Sequence, residues 1–582
     1  AAAEAARSAA EAAAPTRLLF DAAVAARIGE LPEVAGSAAD IEKLASGEHV
    51  QRRLAELNSA HMPFLFPEVF LRERAGFDVL VGNPPWEKLH VEENAWWALR
   101  FPGLRGLPAK DREARLAELR ATRPELVAQW AEEVERVADY RHVVASGPYP
   151  GIGAAHLDLF QAFAWRNWQL LRDGGRVGLV LPRGALSGSG TVQWRQDVLA
   201  NGGFADVCFL VNNRGWIFAG VHMSYTVALV VAGRGQRTGV RFCGPFASLS
   251  EYQEFRDQLV QASTEDFSSW SASYAFPLLG APQTLKAFET MRKNPNFIDV
   301  IGDVLQPMQG DVNSTNQKPM FDFDVEKPTK NLPVLTGASI HVLSPDHARP
   351  YAFADRDEID QLLLERSTGQ TSRKRSPLFG LSISSASDLS IRRARLAYRR
   401  TVRSTDTRTS IPCLVPPEVA LTEQAPFFVR RPGGSAEDEA YLLGLMASIP
   451  FDWYVRRWVE LNLSFEILNA VPLPVKREPF GSRLIVVTAM AAATDDRFSV
   501  WAQEIGVPIG TVADSSDHNA AVAEADALSA LLYGLGWDEV VYIFETFHRG
   551  WDYTERLAAV RLHYDRWRAE VCPIANASRR SL

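Results

Sequence analysis

Asn83-Pro84-Pro85-Trp86 directly follows the apolar run Phe77-Asp78-Val79-Leu80-Val81-Gly82, and that order of residue types points to a particular chemistry. An apolar run that ends in prolines predicts a buried strand whose last residues stand at the carboxyl edge of a sheet, where open α/β folds bind ligands. The two prolines fix the backbone there. An exocyclic amine on a planar ring, as in adenine, is a poor nucleophile because its lone pair is delocalised into the ring. It needs acceptors rather than a strong base. The Asn83 side-chain oxygen and the Pro84 carbonyl offer acceptors for the two amine hydrogens, favouring a tetrahedral nitrogen whose lone pair faces a methyl donor. Trp86 offers a face on which a flipped base can stack, and an amine paired inside a duplex has to be flipped out to be reached.

Other residues carry weaker signals. Asp158 opens the helix predicted after SGPYPGIGAAH and would orient a cofactor or base there, although Asp is also a common first-turn residue. Lys88 and His90 follow the Asn-Pro-Pro-Trp segment and are placed to meet phosphate, with solvated loop charges as the equal alternative. His222 reads as a local structural residue, since methyl transfer to an amine needs no general base. Gly147, Gly151 and Gly153 follow no strand and read as a flexible loop rather than a nucleotide loop. The four cysteines, Cys208, Cys243, Cys413 and Cys572, lie far apart, and no His/Cys/Asp cluster has metal-ligand spacing. A reducing cytoplasm is the simplest compartment, and metal is expected to be absent.

The elements that must position these residues form an α/β pattern. Residues 1–60 are Ala-, Glu- and Arg-rich with helical periodicity, a helical lead-in. In residues 61–240, the runs Phe77-Asp78-Val79-Leu80-Val81, Arg176-Val177-Gly178-Leu179-Val180-Leu181 and Ser224-Tyr225-Thr226-Val227-Ala228-Leu229-Val230-Val231 alternate with helices, which predicts a mostly parallel sheet covered on both faces. Residues 108–142 read as a charged helical insertion, either a solvated surface helix or a cover for a cleft. Residues 241–480 mix short strands with Pro/Gly turns and an Arg-rich stretch, and 481–582 end in helices, notably 519–535 and 538–570.

With 582 residues, 47% hydrophobic, the chain is long enough for several packed cores. No apolar stretch is long enough to suggest a membrane span, and the first fifteen residues are not a signal peptide. Net charge is -8, so nucleic-acid binding requires a local basic surface. Residues 373–408 provide the composition for one. Arg373, Lys374, Arg375, Arg392, Arg393, Arg395, Arg399, Arg400, Arg403 and Arg408 interleave there with Tyr398 and many Ser and Thr, against Asp388 and Asp406 alone. Such residues neutralise phosphates and, through Arg, read guanine edges.

FDVLVGNPPWEKL resembles motif IV of the N6-adenine DNA methyltransferases, and Phe66-Pro67-Glu68-Val69-Phe70 resembles the lead-in found in their large restriction-modification and phage-defence members. Leu157-Asp158-Leu159-Phe160 with FAWRNWQLLRDGGRVGLVLPRGAL resembles motifs V and VI, and Phe218-Ala219-Gly220-Val221 with SYTVALVVAG resembles the last strands of the same domain. RLAYRRTVRSTDTRTSIPCLVPPE, YLLGLMASIPFDWYVRRWVELNLSFEILNAVPLP and NLPVLTGASIH are similar to the target-recognition part of type IIG enzymes and of BREX and DISARM methyltransferases. The resemblance runs in order over about residues 60–570. It implies a Rossmann-like sheet, an α+β DNA target-recognition region over 241–480 and a helical tail. It further implies S-adenosylmethionine as cofactor, double-stranded DNA as partner and site-specific adenine-N6 methylation in a bacterial restriction-modification or phage-defence system.

The departure concerns the cofactor. The family's Gly-rich loop lies N-terminal to this motif, and Gly29, Gly36, Gly47 and Gly76 make no such loop. The expectation is therefore a partial methyltransferase sheet lacking its N-terminal cofactor-loop half. An upstream segment or another defence-system subunit would then complete it, with no nuclease cluster of its own. Two alternatives stay open: a non-catalytic DNA-recognition subunit, and a methyltransferase acting on RNA or a protein amide nitrogen.

Overall fold

The apolar run at residues 77–82 is a strand in the computed structural model, which describes residues 2–31, 36–57, 59–153, 157–219, 225–235, 239–512 and 515–577. Two compact units divide the chain, Ala1–Phe276 and Pro277–Leu582.

The first unit begins with the expected helices, Ala2–Arg27, Ala38–Ala45 and Glu48–Leu57, which bury Ala25, Val50 and Leu54 together. Its sheet contains β1 (Phe77–Gly82), β2 (Leu171–Pro182), β3 (Gly202–Val211), β4 (Thr226–Arg234), β5 (Val240–Phe246) and β6 (Val260–Ala262), in the order β1-β2-β4-β3-β5-β6. The β1–β2 and β3–β5 pairs are parallel, whereas β4 runs antiparallel to both β2 and β3. β1, β2, β3 and β5 thus end on one edge of the sheet. The sheet is mixed rather than mostly parallel, because β4 folds back between β2 and β3, and an apolar run has the same composition in either direction.

A second expectation also fails: β1 is not buried. It is the outer strand of the sheet, with Val79 63% and Val81 85% exposed. Its start is anchored instead. Phe66 and Phe70 meet Phe77 edge-on at 5.5 and 5.4 Å, and Asp78 pairs with Arg72 at 2.8 Å and with Arg172. Arg72, then Arg172, hold the Asp78 carboxyl down at about 2. The ion pairs therefore persist below the ordinary carboxylate range, and the stability they add is lost only as pH falls through about 2.

The insertion forms two helices, Ala109–Thr122 and Pro124–Ala145, divided where Pro124 can only begin a helix. Leu116 and Leu119 bury against Trp96, Trp97 and Trp130, so the pair has its own small core beneath a charged surface.

The second unit holds two four-stranded sheets. β7 (Leu305–Met308), β11 (Arg395–Tyr398), β12 (Pro412–Val415) and β14 (Phe427–Arg430) form one, in the order β12-β11-β14-β7. β8 (Phe321–Asp322), β9 (Leu332–Leu335), β10 (Ala352–Ala354) and β13 (Ala420–Leu421) form the other, in the order β13-β9-β10-β8. NLPVLTGASIH, residues 331–341, holds β9 and the turn Gly337–Ser339. Helices Ala436–Ala447, Phe480–Ala492, Ser515–Tyr533 and Thr554–Ala577 pack in series. Gly444 permits the first crossing, since a Cβ there would stand 2.4 Å from the Thr488 hydroxyl.

The compact units do not break at 240/241 or 480/481. β5 and β6 complete the first sheet, and Phe480–Ala492 packs on Ala436–Ala447 within the second unit. The helix expected over 538–570 is two helices, Trp537–Glu545 and Thr554–Ala577. Among the described residues no helix is long and apolar enough to cross a membrane.

Candidate functional site

The β1–β2 register ends at Gly82 opposite Leu179, because Pro84 and Pro85 have no N–H with which to continue the ladder. The indole of Trp86 takes over beyond that point, its Nε1 donating to the Val180 carbonyl at 3.2 Å. The ring packs edge-on against Phe218 at 5.8 Å and against the buried group Cys208, Leu210, Val227 and Phe246. Trp86 is half-buried and held in place, so part of its sequence signature is structural.

Asn83 behaves differently. It is exposed, and among the described residues neither its side-chain amide nor the Pro84 carbonyl has a hydrogen-bond partner, while Pro84 itself is buried. Two acceptors thus stand available at the carboxyl edge of the sheet on a backbone stiffened by proline.

The segment after Trp86 brings Asp158 to the same place. Leu159 N donates to Glu87 O and Leu89 N to Leu157 O, both at 3.0 Å, so Lys88 lies opposite Asp158 in a short antiparallel bridge. Asp158 occupies the N-cap of helix Leu159–Gln169 without capping it through its side chain. Lys88 and His90 are exposed beside it.

Two residues near this edge gave no signal in the sequence. Gln161, in the first turn of that helix, is 93% buried with no partner for its side-chain oxygen among the described residues, and it lies against Gly190. Arg183, directly after β2, is buried to 1% exposure with its backbone N–H on Thr226 O. The loop holding Gly147 and Gly151 follows a helix, not a strand. Trp165 and Gln169 of the helix after it donate to the carbonyls of Pro150 and Pro148. His222, Gly220 and Val221 lie outside the described residues.

Before β1 the described residues form helices and turns, and no strand followed by a Gly-rich loop occurs among them. Among the described residues there is also no group of three His, Cys, Asp or Glu fit for a metal. Cys208 and Cys243, distant in sequence, are register partners on β3 and β5 as free thiols. The neighbouring Cys243 thiol and burial push the Cys208 thiol up.

The Arg-rich stretch separates into two classes, and this corrects half of the expected DNA surface. Arg395 is 1% exposed, its Nη1 donating to both oxygens of buried Asp311 at 3.0 Å and its Nη2 to Val419 O. Arg392 pairs with Asp360 and Glu418. Arg399 donates to the carbonyls of Gly337 and Ile340, Arg393 to that of Arg430, and Arg408 pairs with buried Asp452 at 2.7 Å. Burial lowers the guanidinium pKa of Arg393, Arg399 and Arg408, as expected of cations used inside a fold. Tyr398 is likewise buried. Arg373, Lys374, Arg375 and Arg403 are exposed, and Arg400 is half-exposed.

No protein-family model matches the chain, and no curated protein matches it. Solved structures do. The type IIL restriction-modification enzyme MmeI in complex with DNA matches at 11% identity and TM-score 0.39, over 70% of this chain and 54% of that one. The type IIG restriction endonuclease BpuSI matches at 12% and 0.27, over 89% and 65%. The ATP-dependent type ISP restriction-modification enzyme LlaBIII bound to DNA matches at 9% and 0.29, over 79% and 31%. The chain spans about half the length of the MmeI chain it matches (54%), and the structures it is similar to are enzymes of restriction or of restriction-modification, two of them bound to DNA.

Proposed function

We propose that the chain supplies the amine-holding half of a site-specific, S-adenosylmethionine-dependent DNA adenine-N6 methyltransferase of a restriction-modification or phage-defence system. The observation that carries this is the pair of open acceptors, Asn83 and the Pro84 carbonyl, beside a fixed Trp86. Bound S-adenosylmethionine supplies an electrophilic methyl group on sulfur. The chain's own residues accept the two amine hydrogens, stop the amine from lying flat with the ring, and hold the flipped base against Trp86 and Pro85. No general base is required, because the proton leaves a nitrogen made acidic by methylation.

The donor pocket needs a further element, and β1 is where it would add. An outer strand with Val79 and Val81 bare is an aggregation hazard unless covered, and a strand carrying the cofactor loop would pair with its edge while the helix after that loop covered its face. The Val79→Lys/Val81→Lys chain is expected to keep its thermal midpoint and to lose reconstituted transferase activity. Unchanged activity on reconstitution would place the cofactor segment elsewhere.

Trp86 separates its two roles by substitution. Trp86→Phe keeps a ring and forfeits the bond to Val180, a loss of about 0.5–1.5 kcal/mol in stability with most base stacking retained. Trp86→Ala also removes the stacking face, worth about 1–3 kcal/mol per base, so weaker binding of duplexes with an abasic-facing or mismatched adenine is expected for Ala alone. Fluorescent nucleotide titration and thermal unfolding of the two variants distinguish these losses.

A non-catalytic DNA-recognition subunit is the second reading. It predicts duplex binding with no transfer under any reconstitution. RNA or a protein amide as acceptor predicts label in those polymers instead.

A further inference from the structure

In the second unit, residues 401–409 form a loop built with more internal support than a charged surface needs. Every second residue is exposed: Thr401, Arg403, Thr405 and Thr407. Beneath them the backbone is held by side chains. Thr409 Oγ1 donates to Arg403 O at 2.9 Å, Arg456 donates to Ser404 O and Thr407 O at 3.2 Å each, and His548 Nε2 donates to Thr405 O at 3.2 Å. Asp406 accepts from the Arg403 N–H at 2.8 Å. Fully buried Asp452 in turn holds Arg408, Arg456 and the Thr409 N–H.

Burying two guanidiniums over one carboxylate costs desolvation, and a loop that only carried charge to phosphates would gain nothing from it. A fixed backbone has value when the side chains on it must meet a partner at set positions. The Arg403 side chain has no partner among the described residues, and its planar fork suits the N7 and O6 acceptors of guanine in the major groove. Thr405 and Thr407, two and four residues further along, are also exposed. The exposed run Arg373, Lys374 and Arg375 sits in turns with no comparable buttress among the described residues, which suits sequence-independent phosphate contact.

We infer that residues 401–407 are a base-reading loop, with Arg403 the residue that discriminates a G·C pair at one position of the duplex. This rests on the reading that the chain acts on double-stranded DNA. The test is selection of duplexes from a randomised library by the full chain in four forms: unaltered, Arg403→Ala, Arg403→Gln and Arg373→Ala. The unaltered chain is expected to enrich a motif with one fixed G·C pair. Both Arg403 variants are expected to keep the rest of the motif and lose that preference by roughly 5- to 150-fold. Arg373→Ala is expected to weaken all sequences alike, with a salt dependence shallower by about one phosphate contact. The same motif at undiminished preference in both Arg403 variants overturns the inference and leaves the DNA reading standing. No enrichment by the unaltered chain, or its displacement by RNA or polyglutamate but not by duplex DNA, overturns both.

Discussion

Asn83→Ala is expected to lower methyl transfer to duplex DNA by about 10²–10³-fold, the loss typical of removing one preorganised group aimed at developing charge. The fold should not register the change, because Asn83 is exposed and its amide has no partner among the described residues. Thermal midpoint and duplex affinity are therefore expected to stay as they are. Since the acceptor acts most strongly once the amine turns tetrahedral, kcat and kcat/KM should fall together rather than KM rising alone. Asn83→Asp keeps an acceptor oxygen and is expected to fall less than Ala. The measurement is single-turnover transfer with the chain supplied with a cofactor-bearing segment. Equal rates for Asn83 and Ala would remove this residue from the chemistry.

Asp311→Ala should have the largest effect on stability. Both Asp311 oxygens bind the Arg395 guanidinium, and Oδ2 also accepts from the Leu421 N–H at 2.8 Å. Arg395 is 1% and Asp311 2% exposed, so removing the carboxylate strands a cation and a backbone donor in the interior. Breaking a buried pair from one side costs about 3–5 kcal/mol, much more than the pair contributes against a well-packed apolar substitute. The thermal midpoint of the second unit is then expected to fall by roughly 6–20 °C, taking about 2–4 °C per kcal/mol. The double variant Asp311→Leu/Arg395→Met should recover much of that loss. Arg373→Ala, on an exposed turn, should leave the midpoint unchanged. If Asp311→Ala melts like the unaltered chain, Arg395 is not committed to the core and returns to the set of candidate DNA contacts.

These two residues also mark what local sequence does and does not reveal. The strand before Asn83, the proline stop and the aromatic after it are adjacent in the chain, so residue types and order suffice to locate them. The exposure of β1 is a property of which strand comes next to it, and Val79 and Val81 look alike in a central or an outer strand. The direction of β4 was hidden for the same reason. The Arg-rich stretch misled because its counter-charges are remote: Asp311 lies 84 residues before Arg395, and Asp360 lies 32 residues before Arg392. A composition window sees the cations and misses their partners. Asp158 was legible as a candidate, but its approach to Lys88 depends on a bridge spanning the helical insertion. Gln161 and Arg183 carry no local signature, and only burial singles them out.

The most direct test of the account is the identity of the methylated product. Duplex DNA is incubated with labelled S-adenosylmethionine and the chain, reconstituted with a cofactor-bearing segment until donor binding is shown by calorimetry, and then digested to nucleosides. The account predicts label in N6-methyldeoxyadenosine, and none when Asn83 is Ala. Label on cytosine carbon, on RNA or on protein, label that survives Asn83→Ala, or no methylated nucleoside despite bound donor and bound duplex would contradict it.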